Sequence, residues 1–175
     1  TLNPEPCPMA SYADLFARQQ AHFHTTVKRR SARERLRVLR ALQKWIQAHA
    51  EEINEAVYED LRKPPAETEL SEVRTVSNEI DFAARHLRRW MRPKSVPGDL
   101  TLIGTEARVQ AEPKGVVEII SPWNYPFMLA VNPLVSALAA GNCVILKPSE
   151  MAPATGALLA RMAGELFVEE AVAVV

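Results

Sequence analysis

The sequence is poor in cysteine and glycine, and it carries no net charge. Cys7 and Cys143 are its two cysteines among 175 residues. Two are too few for a disulfide framework, and neither stands in a Cys-x-x-Cys or Cys/His ligand spacing, so no metal site is expected and a reducing, cytoplasmic setting is. The six glycines (Gly98, Gly104, Gly115, Gly141, Gly156, Gly164) never fall at G-x-G-x-x-G spacing, which excludes a standard Rossmann pyrophosphate loop from this stretch. Lysine plus arginine and aspartate plus glutamate balance at 21 each, so no global basic field announces nucleic acid or an anionic membrane as partner. A membrane span is missing as well. Phe127 to Leu146 has the length and apolarity of one, but Asn132, Pro133, Ser136 and the Gly141-Asn142 turn interrupt it, and a buried helix followed by a strand is the better reading. The opening TLNPEPCPMA has neither a charged segment nor an apolar core of the secretory kind and reads as a loose leader.

What is present is enough for a core: 47% of the residues are hydrophobic. Up to about residue 98 the apolar positions recur at helical spacing. Leu36, Leu39, Leu42 and Ile46 form one stripe, Ile53, Val57 and Leu61 extend it, and Val73, Val76, Ile80 and Leu87 form another. Lys63-Pro64-Pro65-Ala66 breaks the series, and Arg92-Pro93 with Val96-Pro97-Gly98 ends it. Alternation of Leu100, Leu102, Ala107, Val109 and Ala111 around Gly104 then predicts a β-hairpin or a pair of short strands. From Val116 the order is β-α-β-α-β: a buried strand 116–120, a helix 127–140, a strand 143–146, a helix 153–167 and a strand beginning at Ala171. Such alternation predicts an α/β fold with a parallel, Rossmann-like sheet behind a helical amino-terminal half.

In a sheet of this class ligands bind at the carboxyl ends of the strands. Those ends carry Ser121-Pro122-Trp123-Asn124 and Lys147-Pro148-Ser149-Glu150. As a site, Lys147 and Glu150 would hold a nucleotide by its ribose hydroxyls, with Glu150 disfavouring an additional 2′-phosphate. As plain structure, both tetrapeptides are turn residues and a helix cap. Ala152 stands where a capping side chain is expected before Pro153. The basic runs Lys28 to Lys44 and Arg85 to Lys94 permit a nucleic-acid-binding helix pair, but their apolar stripes and the acidic neighbours Glu51, Glu52, Glu55, Glu67, Glu69 and Glu72 favour solvated helix faces. His22, His24, His49 and His86 share no ligand context. Cys143 lies in an apolar strand, where a thiol is inert packing.

Taken together, Glu112-Pro113-Lys114-Gly115-Val116-Val117, Ile120 to Pro126, Pro133 to Asn142 and Val144 to Glu150 resemble the aldehyde dehydrogenase superfamily, and Arg85 to Lys94 resembles its coniferyl aldehyde dehydrogenase and class 3 branch. The likeness runs from about Leu15 onward. It implies that Asn124 stabilises the oxyanion formed when a cysteine thiolate attacks an aldehyde. It also implies that Ile120, Ser121, Pro122 and Trp123 line an NAD or NADP cleft, with Lys147 and Glu150 at the adenosine ribose and Ser149 among the cofactor-binding residues. Residues 1–98 would be a helical segment, 99–113 a hairpin of the oligomerisation region of a homodimer, and 114–175 the start of the NAD(P)-binding domain.

The family's nucleophilic cysteine and glutamate base lie downstream of these motifs, so the resemblance implies a fragment that is inactive alone and a native polypeptide that continues past Val175. The substrate would be a small-molecule aldehyde oxidised to its acid, with no nucleic-acid partner and no membrane indicated. Two further readings stay open: a non-catalytic cofactor-cleft or assembly module, and a reductase of acyl-phosphate or acyl-CoA intermediates on the same scaffold.

Overall fold

The computed structural model describes residues 9–97 and 104–175. Helix α1 (Met9–Thr25) leads through a short 3-10 turn into α2 (Ala32–Ala48). Ser31 starts α2 with a capping box: its hydroxyl accepts the Glu34 N–H, and the Glu34 carboxylate accepts the Ser31 N–H at 2.8 Å. Helix α3 (Ala50–Leu61) stops at Arg62, which adopts a left-handed conformation with φ 55°. Pro64 and Pro65 then prevent any continuation, as the sequence predicts. A single turn, α4 (Pro65–Thr68), passes through a π turn at Glu69–Val73 into α5 (Arg74–Trp90).

A short antiparallel strand pair lies between the helical half and the parallel sheet. Strand β1 (Lys94–Val96) pairs antiparallel with β2 (Ala107–Val109), with Ser95 opposite Arg108. The first strand thus falls in the segment read as the end of the helical half, because Pro93 forbids helix and favours extended backbone around it. Leu100 and Leu102 lie outside the described residues.

Strands β3 (Val116–Ile120), β4 (Cys143–Lys147) and β5 (Val172–Val174) form a parallel sheet in that order, crossed over by α6 (Pro126–Ala140) and α7 (Pro153–Leu166). The expected buried character of β3 holds only for Ile119; Glu118 and Ile120 are exposed, because β3 is an edge of the described sheet while β4 is its centre. Gly141 ends α6 at φ 86°, and a Cβ there would stand 2.5 Å from Arg35 Cζ. The apolar stripes of the helical half and the crossover helices share one core. Leu39, Leu42, Ile46, Ile53, Val76, Ile80, Phe127, Leu134, Leu146 and Leu159 belong to a single buried cluster, and truncating any of its leucines to alanine costs about 2–5 kcal/mol. Helices α6 and α7 lie on the sheet and α2, α3 and α5 pack in turn on them, while α1 lies directly against β3 and β4.

Candidate active site

Register brings the two sequence-predicted tetrapeptides together. Ile120 lies opposite Lys147 on adjacent parallel strands, and the Ser121 N–H donates to the Lys147 carbonyl at 3.1 Å. At this carboxyl end Ile120 is 70% exposed and Trp123 53% exposed, an unusual display of large apolar side chains at a strand terminus. Pro122 is also exposed. Ser121 is buried, and its Oγ has no hydrogen-bond partner among the described residues. Lys147 pairs with Glu150, and the hydrogen bond from its ammonium holds the Glu150 carboxyl below its ordinary range. Ser149 has a local task, accepting the Met151 N–H at 3.2 Å.

Asn124 follows at the same rim. It is exposed, and its side-chain amide makes no hydrogen bond among the described residues, so the alternative in which it ties up the Pro122-to-Pro126 turn is not how this turn is held. The turn is held from outside. Lys63 Nζ donates to the Asn124 carbonyl at 3.3 Å and lies 4.0 Å from the centre of the Tyr125 ring. Glu72, fully buried, accepts from Lys63 Nζ at 2.5 Å through Oε1, and from the Phe127 and Met128 N–H groups at 2.9 and 3.1 Å through Oε2. The carboxylate thus caps the amino terminus of α6, where the helix dipole favours a negative charge.

The other helix ends use the same device. Arg35, buried, donates to the Ala139 and Ala140 carbonyls at the carboxyl end of α6. Asp60 supplies the cap that Ala152 lacks, accepting the Ala154 and Thr155 N–H groups at 2.9 and 2.8 Å. Glu72 and Arg35 correct the reading of the acidic and basic runs as solvated faces. The signal was available in the spacing: Glu72 lies four residues before Val76, and Arg35 four before Leu39, each on the apolar side of its helix. Cys143 is fully buried in β4, and desolvation pushes its thiol up to about 11, so it is no nucleophile at neutral pH.

The exposed groups of this rim are of the kinds that a dinucleotide uses. Exposed Ile120 and Trp123 offer apolar faces for rings, and the Lys147–Glu150 pair offers both a donor and acceptors for hydroxyls. Among the described residues no three His, Cys, Asp or Glu side chains are grouped to hold a metal, and no helix is long and apolar enough to cross a membrane.

The chain has relatives among known proteins. The family model described as aldehyde dehydrogenase family matches residues 9–175. An aldehyde dehydrogenase of Craterostigma plantagineum is 44% identical over 148 residues, 85% of this chain and 31% of that protein. Aldehyde dehydrogenase family 3 member B1 of Bos taurus is 40% identical over 154 residues, 88% of this chain and 33% of the relative. The solved structure of the substrate-bound state of Staphylococcus aureus AldH superposes with a TM-score of 0.89 at 34% identity, over 94% of this chain and 36% of that one. The chain therefore spans about a third of the length of the relatives it matches. Motifs, fold and relatives converge: the chain belongs to the aldehyde dehydrogenase family, with class 3 members among its relatives.

Proposed function

We propose that this chain supplies the cofactor rim and the oxyanion donor of an NAD(P)-dependent aldehyde dehydrogenase that converts an aldehyde to its carboxylic acid. The observation that carries the reading is the meeting of Ser121–Asn124 with Lys147–Glu150 on neighbouring parallel strands, with the Asn124 amide unengaged. When bound, NAD or NADP would accept the hydride. Ile120, Ser121, Pro122 and Trp123 would line its cleft, and Lys147 and Glu150 would take the adenosine ribose, with Glu150 disfavouring a 2′-phosphate.

Asn124 would meet the substrate. Attack of a thiolate on the aldehyde carbon places a negative charge on the former carbonyl oxygen, and an amide N–H already aimed there stabilises that charge more than it stabilises the neutral aldehyde. The thiolate and the general base would come from the portion of the family's length that this chain does not cover. An aromatic aldehyde of the coniferyl kind is the substrate that the branch resemblance favours, in a cytoplasmic setting. The antiparallel β1–β2 ribbon, with Val96 and Val109 exposed, would join two copies of the complete protein.

The test is a titration of the full-length polypeptide with NAD and NADP, followed by an assay for cofactor reduction with aliphatic and aromatic aldehydes. Reduction that depends on aldehyde supports the reading. Cofactor binding without turnover would favour a non-catalytic module, and turnover only with acyl phosphates or acyl-CoA would favour a reductase on this scaffold.

A further inference from the structure

Resting on the oxyanion role proposed for Asn124, we infer that Lys63 and Glu72 are positioning residues for that amide, acting through the backbone on either side of it. Among the described residues Asn124 has no side-chain hydrogen bond, so the amide is placed by where the main chain that carries it is held. On one side, Lys63 Nζ grips the Asn124 carbonyl at 3.3 Å and lies over the Tyr125 ring at 4.0 Å. On the other, Glu72 Oε2 grips the N–H groups of Phe127 and Met128. Pro126, between the two grips, has a fixed φ. The 2.5 Å ion pair between Lys63 and Glu72 locks the grips to each other.

Stability alone is a poor explanation for this arrangement. Removing two charges from water carries a large desolvation penalty, and apolar residues of similar volume often serve a core as well or better. Here the side chains are 9% and 0% exposed, so that penalty applies nearly in full. Glu72 is delivered by the π turn at Glu69–Val73, a local departure from the α-helix that is frequently found at functional sites. What the pair provides and an apolar pair could not is a set of directed hydrogen bonds to the backbone on either side of Asn124. A displacement of about 1 Å at a reacting centre can reduce a rate a hundredfold, so such bonds matter to chemistry even when they contribute little to folding.

The experiment uses the full-length enzyme and single-turnover hydride transfer, with cofactor affinity, KM and thermal stability measured alongside. The main variant is Lys63→Met/Glu72→Gln, which leaves no unpaired buried charge and retains a carboxamide oxygen to accept from Phe127 and Met128. The expected result is a rate lowered by about ten- to a hundredfold, with unchanged cofactor affinity, and no further loss when Asn124→Ala is added. Lys63→Arg, which preserves the charge beside Glu72 but moves the donor away from the Asn124 carbonyl, guards against a misfolded double variant. It should melt normally and react slowly. A wild-type rate in either folded variant, or a loss that repeats in full in the Asn124→Ala background, would overturn the positioning role. If Asn124→Ala itself reacts normally, the oxyanion reading fails and this inference falls with it; if Asn124→Ala is slow and the Lys63 variants are not, only the inference fails.

Discussion

Thr155 donates twice to Asp60, 95 positions away in sequence: its N–H reaches Oδ2 at 2.8 Å and its hydroxyl reaches the same oxygen at 2.7 Å. Helix α7 has no side-chain cap from its own N-cap residue, Ala152, and the helical half of the chain provides one instead. Asp60→Ala should therefore destabilise the protein by roughly 1–2 kcal/mol, the usual effect of losing a helix cap. Asp60→Asn, which keeps an accepting oxygen, should recover most of that loss. Thermal denaturation of the two variants checks the order; equal melting temperatures for wild type and Asp60→Ala would show that water caps α7 equally well.

At the other crossover, Gly141 and Arg35 are a matched pair. Gly141→Ala would place a methyl group 2.5 Å from Arg35 Cζ and force alanine to φ 86°. The left-handed backbone alone costs about 1–2 kcal/mol, and the displacement of a buried guanidinium from two α6 carbonyls adds to it. In an Arg35→Ala background only the backbone part should remain, so the two substitutions should be clearly less than additive by urea denaturation. Strict additivity would separate the two residues.

Most of the architecture was legible in the sequence because it follows from local rules. The stripes Leu39-Leu42-Ile46 and Val73-Val76-Ile80 have helical period, Val116–Ile120 and Cys143–Lys147 are short apolar runs bounded by turns, and Gly141 ends a helix in the left-handed conformation it suggests. The rim was legible for the same reason, since strand ends in a parallel sheet are where ligands are expected. The clamps were not. Glu72 reaches 55 residues along the chain to Phe127 and Arg35 reaches 104 to Ala139, and no local pattern specifies such partners. Their helical phase marked them as inward-facing, but a charge on an apolar face does not say which backbone it will satisfy. Strand β1 has no alternation to reveal it: Lys94, Ser95 and Val96 stand between Pro93 and Pro97, yet are extended and paired.

Burial of Cys143 makes a prediction about pH. Its pKa rises from the ordinary 9.0 to about 11 through desolvation, so the folded state favours the neutral thiol. That contribution to stability is fully present below pH 9 and is lost as pH climbs through about 11. In the native protein at pH 8 the tryptic peptide carrying Cys143 should resist alkylation by iodoacetamide, and should be modified rapidly in denaturant. Fast modification of the folded protein would contradict an inert, packed thiol.

Cofactor preference should follow Lys147 and Glu150. In the full-length enzyme Lys147→Ala should weaken NAD binding with little change in melting temperature, since its side chain is 37% exposed and pairs with an exposed carboxylate. Glu150→Gln removes the negative charge that would face a 2′-phosphate and should shift preference toward NADP. Calorimetric dissociation constants for both cofactors measure this directly, and constants unchanged in both variants would remove the pair from the cofactor site.

The most direct test of the central claim is the single-turnover rate of hydride transfer in full-length Asn124→Ala, taken with its melting temperature and NAD affinity. An exposed amide without a structural hydrogen bond should be dispensable for folding and cofactor binding. As an oxyanion donor it should be worth about 3–4 kcal/mol in the transition state, a loss of two to three powers of ten in rate that appears in kcat more than in KM. That combination, a normal melting temperature and NAD affinity with a rate reduced on this scale, is the predicted result; a variant that loses several degrees of stability and keeps near-normal turnover would contradict it.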